Sequence, residues 1–171
     1  MGKMENRRTK SLKAMARGAA IVATVAAIAA LTACSEAVRT TGEADVDRLV
    51  SLYPALNGEA AERGRVARIV DGDTLELDSG AKVRLIGVDT PEVHGKTEAY
   101  GKEASAFAKR ELEGRDVILF PDASDTDRYG RLLRYVFAAG DDRMFNERLA
   151  AEGYANVMTI APNVAVADTF V

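Results

Sequence analysis

Short runs of apolar or alternating side chains begin at residue 65 and predict β-strands. Five such runs occur, at residues 65–70, 74–78, 82–88, 117–120 and 132–138. The first three are separated by only a few residues, which is typical of a meander. Ser79-Gly80 supplies the turn between the second and the third.

Two longer segments, residues 98–113 and 144–152, place apolar side chains at helical spacing, and Gly114 and Gly153 follow them as stops. The apolar stripe of the first is formed by Tyr100, Ala104, Phe107 and Leu112. This order of elements is consistent with an α+β fold, a five-stranded Greek-key barrel of the OB type with two helices. The pattern of elements specifies only a small α+β barrel.

The first 33 residues are organised differently. Six cations and one anion precede an uncharged, mostly aliphatic run at residues 18–33, which is the layout of a secretory signal. The run ends in Leu31-Thr32-Ala33-Cys34, which resembles a bacterial lipobox, where cleavage precedes the cysteine and a lipid is attached to its thiol. We therefore predict a lipoprotein signal peptide at residues 1–33 and lipidation of Cys34. The alternatives are a chance cysteine after an ordinary signal, or an uncleaved anchor helix.

Both alternatives also place the body of the protein outside the cytoplasmic membrane, because the positive flank stays inside. The predicted location is the outer side of that membrane, anchored through the lipid, or elsewhere in the cell envelope. Nothing in the sequence indicates an obligate protein partner.

Residues 34–63 are predicted to be a tether, and residues 64–171 a single domain. Four apolar side chains of the tether follow a helical spacing that ends at Pro54. They are Val46, Leu49, Val50 and Tyr53. This spacing predicts a short helix that docks on the domain.

Composition restricts the chemistry. One Cys and one His exclude an intrachain disulfide, a cysteine-based zinc finger and an HExxH site. A metal would therefore have mainly oxygen ligands, which favours Ca²⁺ or Mg²⁺. Residues 34–171 contain 17 cations and 25 anions, a net charge of −8. Such a body does not attract anions as a whole, so an anionic ligand needs a local cluster of Arg or Lys.

Four polar features can form such a site, although each alone also fits a turn, a strand exit or a solvated charge. They are Asp71-Gly72-Asp73-Thr74, Arg84, Asp89-Thr90-Pro91-Glu92 and Asp127-Arg128-Tyr129-Gly130-Arg131. In a meander, the first turn and the exit of the third strand meet at one barrel end. Their carboxylates and backbone oxygens suit a hard cation, and two arginines can bind a phosphate on it. Glu92 can then take a proton from water, which predicts phosphodiester hydrolysis.

Residues 66–163 resemble the staphylococcal nuclease (thermonuclease) family. The resemblance rests on the segments Val70-Asp71-Gly72-Asp73-Thr74, Arg84-Leu85-Ile86-Gly87-Val88-Asp89-Thr90-Pro91-Glu92, Tyr100-Gly101-Lys102-Glu103-Ala104, Asp127-Arg128-Tyr129-Gly130-Arg131, Asn146-Glu147 and Gly153. It implies an OB barrel that carries helices. It also implies Ca²⁺-dependent cleavage of DNA and RNA with little sequence preference, leaving 3′-phosphates.

The same resemblance implies a role for each matching residue. Carboxylates of Asp73 and Asp89 and the backbone carbonyl of Thr90 would bind Ca²⁺. Glu92 would be the general base or would orient the attacking water, and Arg84 and Arg131 would clamp the phosphate. Arg128 and Tyr129 would contact the neighbouring phosphate and sugar, while Asp71 would support its turn.

Two departures from the family are visible in the sequence. Thr159 and Ala161 stand where the family has tyrosines that stack on a base, so weaker substrate binding is expected. The long C-terminal helix of the family is missing from the sequence, and the apolar surface under it is expected to be exposed. The sequence therefore also leaves open a non-catalytic OB module that binds nucleic acid or protein, or a poorly folded truncated remnant.

Overall fold

The computed structural model describes residues 42–91 and 100–170. One compact unit spans Asp45–Val171. Residues 92–99 and 171 of this unit are not described. The predicted signal peptide, Cys34 and Glu92 all lie outside the described residues. In the part of the chain that is described, no helix has both the length and the apolar character needed to cross a membrane.

A closed five-stranded barrel forms the centre of the unit. Its strands are β1 (Glu62–Asp71), β2 (Thr74–Leu77), β3 (Lys82–Leu85), β5 (Asp116–Phe120) and β6 (Leu132–Ala138), and a separate two-stranded sheet joins β4 (Gly87–Asp89) to β7 (Asn156–Met158). Around the barrel the order is β1-β2-β3-β6-β5, with β3 and β6 parallel and the other neighbours antiparallel. This arrangement confirms the predicted OB-type barrel.

Three α-helices surround the barrel in the described residues. They are α1 (residues 42–52), α2 (Gly101–Leu112) and α3 (Phe145–Ala151), and two short 3-10 helices lie at Gly58–Ala60 and Ala167–Thr169. Helices α2 and α3 are the two that the sequence predicts in the domain. Helix α1 is the one predicted within the tether.

Helix α1 packs on the barrel, as its apolar spacing predicts. Leu49 is fully buried, and the Tyr53 ring meets the Phe137 ring edge-on with 5.2 Å between centroids. The Tyr53 hydroxyl donates a hydrogen bond to Glu147 Oε2 at 3.0 Å, which joins the end of α1 to α3. The compact unit therefore includes part of the segment assigned to the tether.

The strand predicted over residues 82–88 is divided at Gly87. This residue adopts a left-handed backbone with φ of 81°, which ends β3 and starts β4. The Phe170 ring packs so closely that a Cβ at Gly87 would lie 2.6 Å from it. Glycine is therefore required here both by the backbone conformation and by the close approach of an aromatic ring.

The chain after β7 folds back on the barrel instead of leaving all of the underlying surface exposed. Val166 and Phe170 are only 3% and 8% exposed. Asp122 Oδ2 accepts hydrogen bonds from the Ala165 amide at 3.0 Å and the Tyr135 hydroxyl at 2.8 Å. This segment covers part of the barrel, whereas Val157, Met158, Ile160 and Val164 remain exposed. The predicted exposure of the surface under the family's C-terminal helix stays a prediction.

Candidate functional site

Asp73 connects the turn between β1 and β2 to the end of β4. Its buried Oδ2 accepts hydrogen bonds from the Thr90 amide at 2.8 Å and the Thr90 hydroxyl at 2.9 Å, and its Oδ1 accepts one from Thr74 at 3.1 Å. Gly72 permits this approach, because a Cβ there would lie 2.8 Å from Thr90 and 2.9 Å from Ala104. The turn and the strand exit therefore lie side by side, as the meander predicts.

Arg84 lies between the two predicted metal-binding carboxylates. Its Nη2 is 2.8 Å from Asp89 Oδ1 and 3.2 Å from Asp73 Oδ2. Its Nη1 donates to the backbone carbonyls of Leu85 and Val88, both at 2.7 Å. Four acceptors thus fix the plane and position of this largely buried guanidinium.

These contacts test whether the site suits a hard cation. Carboxylate oxygens of Asp73 and Asp89 come from separate elements and converge on a single positively charged nitrogen of Arg84. Oxygen donors that converge in this way fit Ca²⁺, which takes six to eight oxygen ligands. No cluster of three or more acidic, His or Cys side chains exists within the described ranges, so backbone carbonyls, water or residues outside those ranges must complete the shell.

Arg131 is positioned by the loop that precedes β6. Asp127 Oδ2 accepts from Arg131 Nε at 2.7 Å, and Asp127 Oδ1 accepts from the amides of Arg131 at 3.0 Å and Tyr129 at 2.9 Å. Burial raises the pKa of Asp127, but the hydrogen bonds from Arg131 and the Tyr129 amide outweigh burial and lower the pKa below its ordinary value. Arg131 Nη1 also donates to Thr74 Oγ1 at 3.3 Å, which directs it to the same barrel end as Arg84.

The four predicted residues Asp73, Arg84, Asp89 and Arg131 share one open cleft of about 370 Å³. The other lining residues are Val70, Asp71, Thr74 and Lys82. The lining thus combines three cations with three carboxylates. Positive charges fixed beside converging carboxylates can hold a phosphate and a metal ion together. We call this space the charged cleft.

A second, mostly apolar groove of about 490 Å³ adjoins the charged cleft and shares Arg84 and Arg131 with it. Its remaining walls are formed by the Gly87 region of β4, the loop around Tyr129 and residues 158 and 160–163. Tyr129 is 69% exposed, and its hydroxyl accepts a hydrogen bond from Arg128 Nη2 at 2.7 Å. We call this space the apolar groove.

Both predicted substrate-binding residues, Arg128 and Tyr129, line the apolar groove. Of the two positions where tyrosines are missing, Ala161 lines the groove, whereas Thr159 does not. Apart from Tyr129, the described wall of the apolar groove therefore has no aromatic ring. Such a wall provides little stacking surface for a base.

Comparison with known proteins agrees with the geometry. Residues 82–169, about half of the chain, match the family described as staphylococcal nuclease homologues. This chain belongs to the staphylococcal nuclease family. The predicted resemblance is thereby confirmed, and the closed barrel agrees with it.

The sequence of this nuclease homologue is similar to proteins from Staphylococcus and from other genera. It is 46% identical over 105 residues to the thermonuclease of Staphylococcus hyicus, covering 58% of this chain and 61% of that protein. The thermonuclease of Staphylococcus intermedius is 44% identical over 104 residues, covering 57% and 61%. An uncharacterised protein of Methanocaldococcus jannaschii is 36% identical over 120 residues, covering 55% and 58%. The chain thus spans about three fifths of the length of these relatives.

One residue that organises the site was not assigned a role from the sequence of this nuclease homologue. Asp127 accepts two hydrogen bonds from Arg131 and one from the Tyr129 amide, although the sequence suggests only an ordinary charged loop. An Asp followed by a Gly three residues later is a turn signal, because its carboxylate can accept from nearby amides. The signal therefore exists, but it does not reveal that the turn orients an arginine.

Proposed function

We propose that this protein hydrolyses phosphodiester bonds of DNA and RNA with little sequence preference, depends on Ca²⁺ and leaves 3′-phosphates. The observation that carries the proposal is the charged cleft, where Arg84 and Arg131 lie beside the converging carboxylates of Asp73 and Asp89. Membership of the staphylococcal nuclease family supports the same chemistry.

Asp73, Asp89 and the Thr90 backbone carbonyl are the groups that would bind Ca²⁺. When bound, the ion supplies Lewis-acid polarisation of the phosphoryl group and charge neutralisation. Arg84 contacts both carboxylates. The proposed ion therefore has to share these carboxylates with a guanidinium.

The two arginines would bind the non-bridging oxygens of the scissile phosphate, where negative charge accumulates as water adds to phosphorus. Arg84 is oriented by two carbonyls, and Arg131 is oriented by Asp127. Donors fixed before the reaction avoid the cost of reorganisation and stabilise the transition state strongly. A guanidinium also matches phosphate geometry with two parallel hydrogen bonds.

Glu92 would take the proton from the attacking water as its oxygen bonds to phosphorus. The bond from phosphorus to the 5′-oxygen then breaks, and that oxygen takes up a proton, so that the phosphate stays on the 3′ side. This role rests on the family resemblance and on the sequence position of Glu92 directly after Pro91. Glu92 itself lies outside the described residues.

Low sequence preference follows from the apolar groove. Recognition of a particular base needs hydrogen-bond donors and acceptors placed against its edge, or aromatic stacking. In the described residues, Tyr129 is the only aromatic residue lining the groove. The backbone phosphates would therefore dominate substrate binding.

We also propose that residues 1–33 direct export and that the thiol of Cys34 carries the lipid anchor. The support is the basic, apolar and small-residue order of the sequence alone. Labelling cells with a palmitate analogue should mark the wild-type protein and not Cys34→Ser. Membrane retention of an unlabelled Cys34→Ser protein would contradict lipid anchoring.

The enzymatic proposal is tested on the full-length protein with single-stranded DNA and RNA. Hydrolysis should require Ca²⁺, stop with a chelator and yield 3′-phosphate ends.

Glu92→Gln should lower kcat by about 10²-fold or more. Glu103→Gln, which changes an exposed carboxylate on α2, should leave kcat unchanged. Folded protein that binds single strands but does not hydrolyse them would favour the non-catalytic OB module. A chain without a cooperative unfolding transition would favour the poorly folded remnant.

A further inference from the structure

Lys82 lies in the charged cleft, yet neither the family resemblance nor the proposed chemistry uses it. It begins β3, where exposure alternates from exposed Lys82 to buried Val83, half-buried Arg84 and buried Leu85. Side chains two residues apart on a strand point to the same face. Lys82 and Arg84 therefore project from the same face of β3 and both line the charged cleft.

Within the described residues, the ammonium of Lys82 has no partner that would compete with a ligand. Glu76 is its cross-strand neighbour on β2, but Glu76 Oε2 is bound to Arg68 Nη2 at 2.6 Å. Among the described side chains, none forms a hydrogen bond or an ion pair with Lys82, and this residue is exposed. By contrast, Arg84 and Arg131 are both occupied by acceptors of the protein.

Charge also favours an anion beside Lys82. Without it, the lining of the charged cleft has two arginines against the carboxylates of Asp71, Asp73 and Asp89. Lys82 brings this lining to neutrality before any metal ion is added. A polyanion approaching the cleft would otherwise meet a net negative lining.

The spacing fits a second phosphate of the same strand. Two residues along a β-strand cover about 6.6 Å. This exceeds the rise of about 3.4 Å per nucleotide in a stacked strand, so it suits an extended, unstacked single strand. The flexible Lys side chain can follow such a backbone as a point charge without reading sequence.

We propose that Lys82 binds the phosphate next to the scissile one and gives this protein a preference for oligonucleotides over single phosphodiesters. The inference rests on the proposed function, because it places the scissile phosphate at Arg84 and Arg131. It extends the substrate contact along β3 from Arg84 to Lys82, within the charged cleft. It also assigns binding of the strand to a residue that takes no part in the bond cleavage.

The test measures binding to the full-length protein in a chelator, where hydrolysis is absent. The probes are a thymidine octanucleotide and the dinucleoside monophosphate TpT, which has one phosphate. Removing one phosphate contact should reduce the slope of log affinity against log salt by about 0.7 for a single strand. Lys82→Gln should show this change with the octanucleotide and none with TpT, whereas Lys82→Arg should keep the wild-type slope.

Lys109→Gln is the matched control, since it removes the same charge from an exposed position near the end of α2. An unchanged octanucleotide slope in Lys82→Gln would overturn the proposal. An equal change of slope in Lys109→Gln, or with TpT as the probe, would also overturn the proposal, since either would indicate a general charge effect.

Failure of the wild type to bind the octanucleotide would overturn the proposal as well. If wild-type binding is normal but Ca²⁺ gives no hydrolysis, the proposed nuclease function fails while the Lys82 contact is still decided by the slopes.

Discussion

The charged cleft and the apolar groove share Arg84 and Arg131 but are constructed very differently. In the cleft, Asp73, Arg84 and Arg131 are buried or half-buried and are each fixed by two or more hydrogen bonds. In the groove, most walls are aliphatic or small, and Tyr129 is largely exposed. A phosphate therefore meets prepared partners, whereas a base meets a surface with little specific to offer. For the proposed nucleic-acid substrate, this difference would favour recognition of the shared phosphate backbone over recognition of a particular base.

The largest expected effect is the loss of either arginine of the cleft. Arg84→Met or Arg131→Met should reduce kcat for single-stranded DNA by about 10²–10³-fold, because each removes a fixed donor to the developing charge. Steady-state kinetics with Ca²⁺ measure this. Arg65→Met is the control, since Arg65 is exposed and, among the described residues, pairs only with the exposed Asp116. A rise in KM with an unchanged kcat would mean that the arginines bind substrate and transition state equally.

Arg84 also permits a measurement of metal binding that is independent of activity. Because its guanidinium contacts the carboxylates of both Asp73 and Asp89, its removal frees these oxygens and removes a nearby positive charge. Arg84→Met should therefore bind Ca²⁺ at least as tightly as the wild type by calorimetry, even though hydrolysis is lost. A Ca²⁺ affinity more than tenfold weaker would show that Arg84 is needed to arrange the ligands.

The next effect concerns the backbone behind the cleft. Gly87→Ala should destabilise the fold by about 2–4 kcal/mol, because it combines a left-handed backbone with a clash against Phe170. Gly140→Ala is the matched control, with φ of 84° and open space around a new Cβ. It should cost only about 1 kcal/mol. Urea unfolding compares the two, and equal losses would show that the Phe170 contact contributes nothing.

The next effect concerns the lack of stacking surface in the apolar groove. Ala161→Tyr adds an aromatic ring to the wall of this groove, and stacking on one base is worth about 1–3 kcal/mol. KM for single-stranded DNA should fall by about 5-fold or more while kcat is unchanged. Val164→Tyr, at an exposed position outside the groove lining, is the control. An unchanged KM in Ala161→Tyr would mean that bases do not enter the groove.

The sequence predicts the barrel well because its strands alternate and its helices have regular stripes. The strand at residues 132–138 has the predicted bounds. Strand β7 was missed because all three of its residues are exposed, so only its pairing with β4 defines it. The break at Gly87 was missed because the apolar pattern continues through it, and only the close Phe170 ring reveals it.

The sequence predicts which residues form the site, but only some of the contacts between them. Proximity of Asp73 and Asp89 follows from the meander, since neighbouring strands bring their ends together. The pairing of Arg84 with both carboxylates does not follow, because it depends on how the chain turns at Gly87. No described side chain pairs with Lys82, and its cross-strand neighbour Glu76 is bound by Arg68 instead, which composition cannot show. The role of Glu92 stays a prediction.

The smallest effect is expected from Asp127, which supports the cleft from outside its lining. Asp127→Asn should weaken the hydrogen bonds to Arg131 and cost about 1–2 kcal/mol of stability at pH 7.

Burial opposes ionisation of Asp127, but hydrogen bonds from Arg131 and the Tyr129 amide hold its pKa below the ordinary value. A carboxylate with a lowered folded-state pKa contributes its stabilisation above the unfolded-state value of about 3.9 and loses it as the pH falls through the folded-state pKa. The stability difference between wild type and Asp127→Asn should therefore be constant from pH 7 to about 5 and shrink below about pH 4. Urea unfolding at pH 7, 5 and 3 measures the difference, with Asp168→Asn as an exposed-carboxylate control outside the cleft and its supporting loop. A difference that persists unchanged at pH 3 would mean that Asp127 acts through its shape and not through its charge.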